Sequence, residues 1–489
     1  EIAQCLVGSE MCIRDRIIIT AAVVIVILAI AAAAFYFINK NKAQKPPSLQ
    51  EAVESRISAY DTDLKDSLTS MTDQDQVRKY LSNWAENKGI DVKTDKYDNV
   101  IFSVKATEGL EDKAPAVIIC GYDYTCMSTY SNSIVSALTI AKNDQPHGAY
   151  KVIFVSEESG SMSSAENLSS QYFEDGADVF YLGSSVSSRV ANMTGGLEEY
   201  SLSKALSHKS PSYTKAYKIS ISGLPAQKFG TESAYVPNPI KTLGNQLANL
   251  KSGSIWFELA SFDGGSRAGV TPSEATATIV VSEDISEKLE RKLDSAIEKF
   301  IDKYGADYPS AQYTYEIVDT PSSVMSSENT DAIVSLMYTA MNGVHYKDDN
   351  GDIASLTNIG YVNTSDKEFV MNVAASSWDQ NLLAEISEAY QTAGGLSGFE
   401  YSVTSQYAPF ALDESNQPFE MDFRNAYSDY QNIKLDSINI PELTPCGIIK
   451  SKNENTHMII LGVTEKTKDN FAGGIITYLM TPSETDGQQ

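Results

Sequence analysis

Histidine is scarce here, with 4 in 489 residues. A centre built on several imidazole ligands or bases has little to draw on. Cationic charge is short as well: 38 Lys and Arg face 64 Asp and Glu, a net charge of −26. That balance excludes the basic footprint of a nucleic-acid binder and argues against an anionic membrane surface as partner. No H-x-x-x-H, H-E-x-x-H or C-x-x-C spacing occurs, so no metal or redox motif can be read from spacing. Neither G-x-x-x-x-G-K-[ST] nor G-x-S-x-G is present, which removes the phosphate-cradling loop and the nucleophile elbow. What remains, 42% apolar and 21% charged residues, is ample for a globular core. At about 150 residues per domain the chain holds roughly three domains, and two large ones fit as well.

The N-terminus is set aside before any fold is considered. Residues 6–15, LVGSEMCIRD, translate CTC GTG GGC TCG GAG ATG TGT ATA AGA GAC, the tagmentation adaptor of short-read sequencing libraries. Cys5 and Arg16 fit its flanking bases. Residues 1–16 are therefore taken as an artefact replacing a lost start, which leaves Cys120, Cys126 and Cys446. Residues 17–38, IIITAAVVIVILAIAAAAFYFI, carry no charge. At a rise of about 1.5 Å per residue they reach ~33 Å, enough for a bilayer core. Signal-peptide cores run to only about 15 residues and precede a small-residue cleavage site. Here Lys40, Lys42 and Lys45 follow instead, so the segment reads as an uncleaved transmembrane helix, with 39–47 as linker. The lysines would draw their side inward, whereas a short anchor ahead of a large domain exports it. The second tendency is followed, giving a membrane-anchored protein with its large domain outside the cytoplasm.

Beyond Pro46-Pro47, residues 49–71 and 73–88 carry helical periodicity. Short apolar runs at 99–104, 116–119, 151–155 and 178–181 read as strands, with a helix at 131–142 between them. Strand–helix alternation with near-continuous apolar strands indicates an α/β sheet. From about 213 to 405 the rhythm changes to β-meander-like pairs with single helices, an α+β pattern. Residues 419–430, 458–461 and 470–479 return to the first style. The expected architecture is an α/β domain (48–212 and 406–489) interrupted by an inserted α+β lid domain (213–405).

The order of motifs resembles the dizinc aminoacyl-histidine dipeptidases, the carnosinase-like Xaa-His dipeptidases. DNVIFSVKA, APAVIICGYDY, SNSIVSALTIAKND, YKVIFVSEESGSMSSAENLS and GADVFYLGSS follow that family's order through the first part. SFDGGSRAGVTPSEATATIVV, MNGV, SLTNIGYV and CGIIKSKNENTHMIILGVTEKT continue it. The resemblance implies a zinc-peptidase-like α/β domain with a lid, and two zinc ions held by a His in H-x-D, a bridging Asp, a Glu, a further carboxylate and a late His. A Glu base takes the proton of zinc-bound water.

Carried over residue by residue, those roles fall on different chemistry. The H-x-D becomes Tyr122-Asp123-Tyr124; the bridging Asp falls on Ser131, the further carboxylate on Ser184 or a neighbour, and the late His near Asp469. Only the glutamate pair persists, as Glu157 (base) and Glu158 (ligand). The family's substrate-handling His aligns with Lys228, and its lid arginine falls on or near Ala375. Tyrosine and serine are poor zinc ligands, so the expectation is no cofactor, with zinc as the alternative. Tyr122 and Tyr124, alternate residues of a strand end, are expected to share a face and fill the volume of the metals. His147 reads as a surface turn, His208 as solvent-exposed, and His345 and His457 as polar surface. Cys120 and Cys126, separated by GYDYT, are compatible with a disulfide in an oxidising compartment and equally with two free thiols.

Two readings of function follow. One is a membrane-anchored, non-catalytic homologue that binds a peptide or a protein. The other is an active metallo-dipeptidase with a rebuilt or single-metal site. Oligomeric state stays open.

Overall fold

The structure, a computed structural model, describes residues 29–31 and 47–481 apart from 158–161, 174–176 and 185–188. The 17–38 segment therefore lies almost wholly outside the described residues, as do Glu158 and residues 1–16. Among the described residues no helix is long and apolar enough to cross a membrane. The described residues divide after Ala52 into two units. In the first, the start of the helix Leu49–Leu68 is capped by Ser48, whose amide donates to Glu51 Oε2 at 2.8 Å. Everything below belongs to the second unit.

Its first sheet is built on parallel strands. Ala116–Tyr122 lies between Tyr150–Ser156 and Asp178–Ser184, and His457–Val463 pairs with the latter's other edge. Val100–Val104 and Asp91–Thr94 extend it antiparallel beyond Tyr150–Ser156. The apolar runs that announce these strands are buried on both faces. Val117 and Ile119 pack with Ile153, Val179 and Ile460 on one face, while Ile118 and Cys120 are equally sealed on the other. Helices Met127–Ala141, Gln417–Gln431 and Lys468–Met480 pack together with it. The register Tyr122↔Ser156 and Val463↔Ser184 brings four strands to one carboxyl-terminal edge, the usual place for a site in an α/β sheet.

A second network is wholly antiparallel: Gln312–Val318, Lys215–Ser222, Ala275–Val281, Glu258–Gly265, Ile353–Thr364, Glu368–Ser377, then residues 196–205 and Glu400–Tyr407. Leu243, Leu247, Leu289, Ile333, Leu336 and Leu383, from four helices, form one core with its inward side chains. This is the helices-on-one-face arrangement expected from the meander pattern.

Sequence reading did not find the element that joins the two. Val190–Ala205 is one strand of 16 residues. Its first part pairs with Ser437–Leu443 in the parallel sheet, ending at Gly195, and from Gly196 it pairs with Glu368–Ser377 in the antiparallel one. The exchange point is crowded by backbone. A Cβ on Gly195 would collide with the Pro441 carbonyl, and one on Gly196 with the Tyr407 carbonyl and the Pro409 ring. Ala116–Tyr122 runs on through an extended Asp123 into a 3-10 turn that begins at Tyr124. One further expectation needs correcting. His147 is buried rather than on a surface turn; its ring packs edge-on to Tyr150 and its Nδ1 lies 2.8 Å from the Gly148 carbonyl.

Gly195→Ala tests the crossing. It is expected to destabilise the protein by about 2 kcal/mol or more, within the range for overpacked sites, read as a lower denaturation midpoint with an unchanged denaturant slope.

Candidate functional site

Asp123 and Glu157 leave adjacent parallel strands at the carboxyl edge. Both are sealed from solvent, at 1% and 0% exposure. A carboxylate in that position must find partners, because an isolated buried charge is too costly to keep. Glu157 finds two. Its Oε2 accepts from the Tyr130 hydroxyl at 2.8 Å and from the Lys228 ammonium. The same ammonium stands 5.3 Å from the centre of the Tyr130 ring. Asp123 accepts from the Thr125 amide at 2.9 Å, from its hydroxyl at 2.7 Å, and from the Arg267 guanidinium. Gly121 makes the packing feasible, because a Cβ there would meet Glu157 Oε1 and, at 2.7 Å, the Tyr130 ring.

Both cations come from loops of the antiparallel sheet, and those loops are tied together. Lys228 and Val270 form an isolated bridge, the Phe229 amide donates to Gly269 O at 3.0 Å, and the Thr271 amide donates to Gln227 O at 2.9 Å. The Lys228 amide also donates to Thr129 Oγ1 at 3.2 Å. Gln74 braces the strand end from outside. Its Nε2 donates to Tyr122 O at 3.2 Å and to Ser156 Oγ at 2.9 Å, and its Oε1 accepts from the Tyr124 amide at 2.7 Å.

The remaining positions singled out from sequence do not all meet here. The Tyr122 ring is buried, but its hydroxyl donates to the Asp98 carbonyl, and it is Tyr130 that reaches Glu157. Ser131 Oγ donates to Met127 O, 2.7 Å away within its own helix. Asp469, in the first turn of Lys468–Met480, lies where its charge is felt by Tyr427 and Tyr430. Ser184 ends its strand at the same edge, though its side chain is outside the described residues, as is that of Cys126. Ala375 is packed in the core of the antiparallel sheet; its neighbour Ser376 hydrogen-bonds Gly196 O at 2.9 Å. Among the described residues no group of three or more His, Cys, Asp or Glu side chains is placed to hold a metal ion. His208 is exposed on its strand, His345 lies 2.8 Å from Thr357 Oγ1, and His457 lies 3.2 Å from Asp178.

Tyr130 and Lys228 stand between two small cavities. The one of about 40 Å³ touches Thr129, Tyr181, Thr231 and Glu442; the one of about 30 Å³ touches Asp123, Glu199 and Arg267. Each has room for a few waters at most. Tyr130, Arg267 and Glu442 were missed by sequence reading. Glu442 Oε1 accepts from the Thr231 amide at 2.6 Å and from its hydroxyl, while Oε2 is buried with no protein partner. Burial raises the Glu442 pKa above the ordinary 4.5, with the Thr231 hydrogen bonds opposing. Burial, with the Glu157 charge added, also raises the Cys120 thiol, and Cys446 is pushed up to about 12 by burial. Cys120 and Cys446 are free buried thiols, poorly disposed to act as nucleophiles.

No family model matches the chain. Over 429 residues it is 21% identical to the cytosol non-specific dipeptidase of Escherichia coli (strain K12), covering 80% of this chain and 87% of that protein. In structure it is similar to the aminoacylhistidine dipeptidase of Vibrio alginolyticus, with a TM-score of 0.55 at 18% identity, over 89% of this chain and 98% of that one.

Glu442 gives a pH-dependent test. With its folded pKa raised, the folded state binds the proton more tightly than the unfolded one, so this group lowers stability as pH climbs above 4.5. Glu442→Gln keeps an acceptor for Thr231 and removes the charge. Its melting temperature should exceed that of the wild type near pH 8, and the difference should shrink towards zero near pH 4; a gap that widens on acidification contradicts the assignment.

Proposed function

Because the chain is similar to a cytosol non-specific dipeptidase and to an aminoacylhistidine dipeptidase, we propose that it is a non-catalytic relative of those enzymes, anchored in a membrane through residues 17–38. In this reading its large domain lies outside the cytoplasm and acts by binding a peptide or a protein. The peptidase-like parts, 48–212 and 406–489, carry the 213–405 lid.

One observation carries the reading. Glu157, which the resemblance puts at the general base, has its Oε2 engaged by Lys228 and Tyr130; its Oε1 has no partner but is fully buried and lines neither cavity, so no water or substrate reaches it in this arrangement. The described donors do not suit zinc either. The hydroxyls of Tyr122 and Ser131 are engaged with backbone carbonyls. Zinc requires several deprotonated or imidazole donors at about 2.0–2.2 Å, and one glutamate does not make a site. The two cavities lined by described residues at this edge, of about 40 and 30 Å³, are too small for a peptide, so in this reading a protein partner at the outer surface is favoured.

The experiment is metal analysis and peptide hydrolysis on the same sample. Full-length protein, incubated with excess zinc and desalted, should retain far less than one zinc per chain and hydrolyse Xaa-His dipeptides no faster than a blank. Two zinc ions per chain, or turnover abolished by a chelator, would return the protein to the enzymes.

A further inference from the structure

We infer that Lys228 and Arg267 form a metal-free clamp, two internal cations that hold the antiparallel sheet against the carboxyl edge of the parallel one. The inference rests on the non-catalytic reading above and says what has taken over the site.

The geometry supplies two rigid halves. On one side, Asp123 and Glu157 follow adjacent strands in fixed register, and neither can be solvated where it lies. On the other, the loops carrying Lys228 and Arg267 are joined through Gln227, Phe229, Gly269 and Thr271 into one unit. The contacts are Lys228 to Glu157 and Arg267 to Asp123, reinforced by Arg267 Nη2 to Thr125 Oγ1 at 2.9 Å and the Lys228 amide to Thr129. In direct contact, two positive charges meet two negative ones, while Glu199 and Glu442 lie near enough to feel Arg267 and Lys228. A divalent cation binding Glu157 through Oε2 would have to displace Lys228 and leave the ammonium without that partner beside it. Once one partner is removed, the other is a buried charge that nothing compensates. The closed arrangement therefore requires neither metal nor ligand.

Hydrogen exchange on the full chain in detergent tests this at residues 224–229 and 266–271. In the wild type these amides should exchange slowly, and equally so with chelator or with micromolar zinc. K228M should raise exchange at least about tenfold in both loops, since the loops open as one unit. K228R should keep the protection. K228M/E157Q, which removes both charges, should recover most of it, and that double variant carries the comparison if K228M does not fold. Wild-type loops that exchange freely while no dipeptide is hydrolysed overturn the clamp and leave the functional reading standing. Protection that appears only on adding zinc overturns both.

Discussion

A carboxylate with no exposed surface needs a counter-charge within reach, and Glu157 takes it from Lys228. The rest of the site is arranged around that requirement. Tyr130 shares the same carboxylate oxygen and lies beneath the ammonium, and Gly121 leaves the space in which glutamate and phenol meet. Arg267 answers Asp123 in the same way from the adjoining loop. In a medium of low effective dielectric such pairs add little net stability over an apolar packing, yet breaking one by removing a single partner costs about 3–5 kcal/mol. Their value is specificity: they fix which edge meets which loop.

That meeting is made possible by one strand. Val190–Ala205 belongs to both sheets, so the antiparallel network is joined through continuous backbone to the sheet whose edge it covers. At Gly195 and Gly196 the Pro441 and Tyr407 carbonyls come so near that no side chain fits. Ser376 adds hydrogen bonds to Gly196 O and Pro441 O at the same crossing. The loops with Lys228 and Arg267 are thereby held over the carboxyl edge.

Much of the fold was legible in the residues. Buried parallel strands announce themselves as continuous apolar runs, and the helices of the antiparallel part show their apolar stripe at helical spacing. Val190–Ala205 escaped because two glycines sit in its middle, where a strand pattern reads as a break. His147 was misjudged because a turn sequence does not reveal that Tyr150 covers it. At the site, Glu157 and Lys228 were each singled out, but they lie 71 residues apart and only the register of the strands brings them together. Arg267 sat in a quoted motif without a role and Tyr130 just ahead of one, since nothing local distinguishes a buried counter-ion or a buried phenol from an exposed polar side chain. The Tyr122 hydroxyl turns to the Asp98 carbonyl, a direction that nothing local in the sequence indicates.

The central claim is that an internal ammonium, and no metal, neutralises Glu157. Crystals soaked in zinc, with anomalous scattering measured at the zinc edge, test it most directly. The account predicts Lys228 resting on Glu157 and no anomalous peak within bonding distance of that carboxylate. A zinc peak on Glu157 with Lys228 swung aside would contradict it.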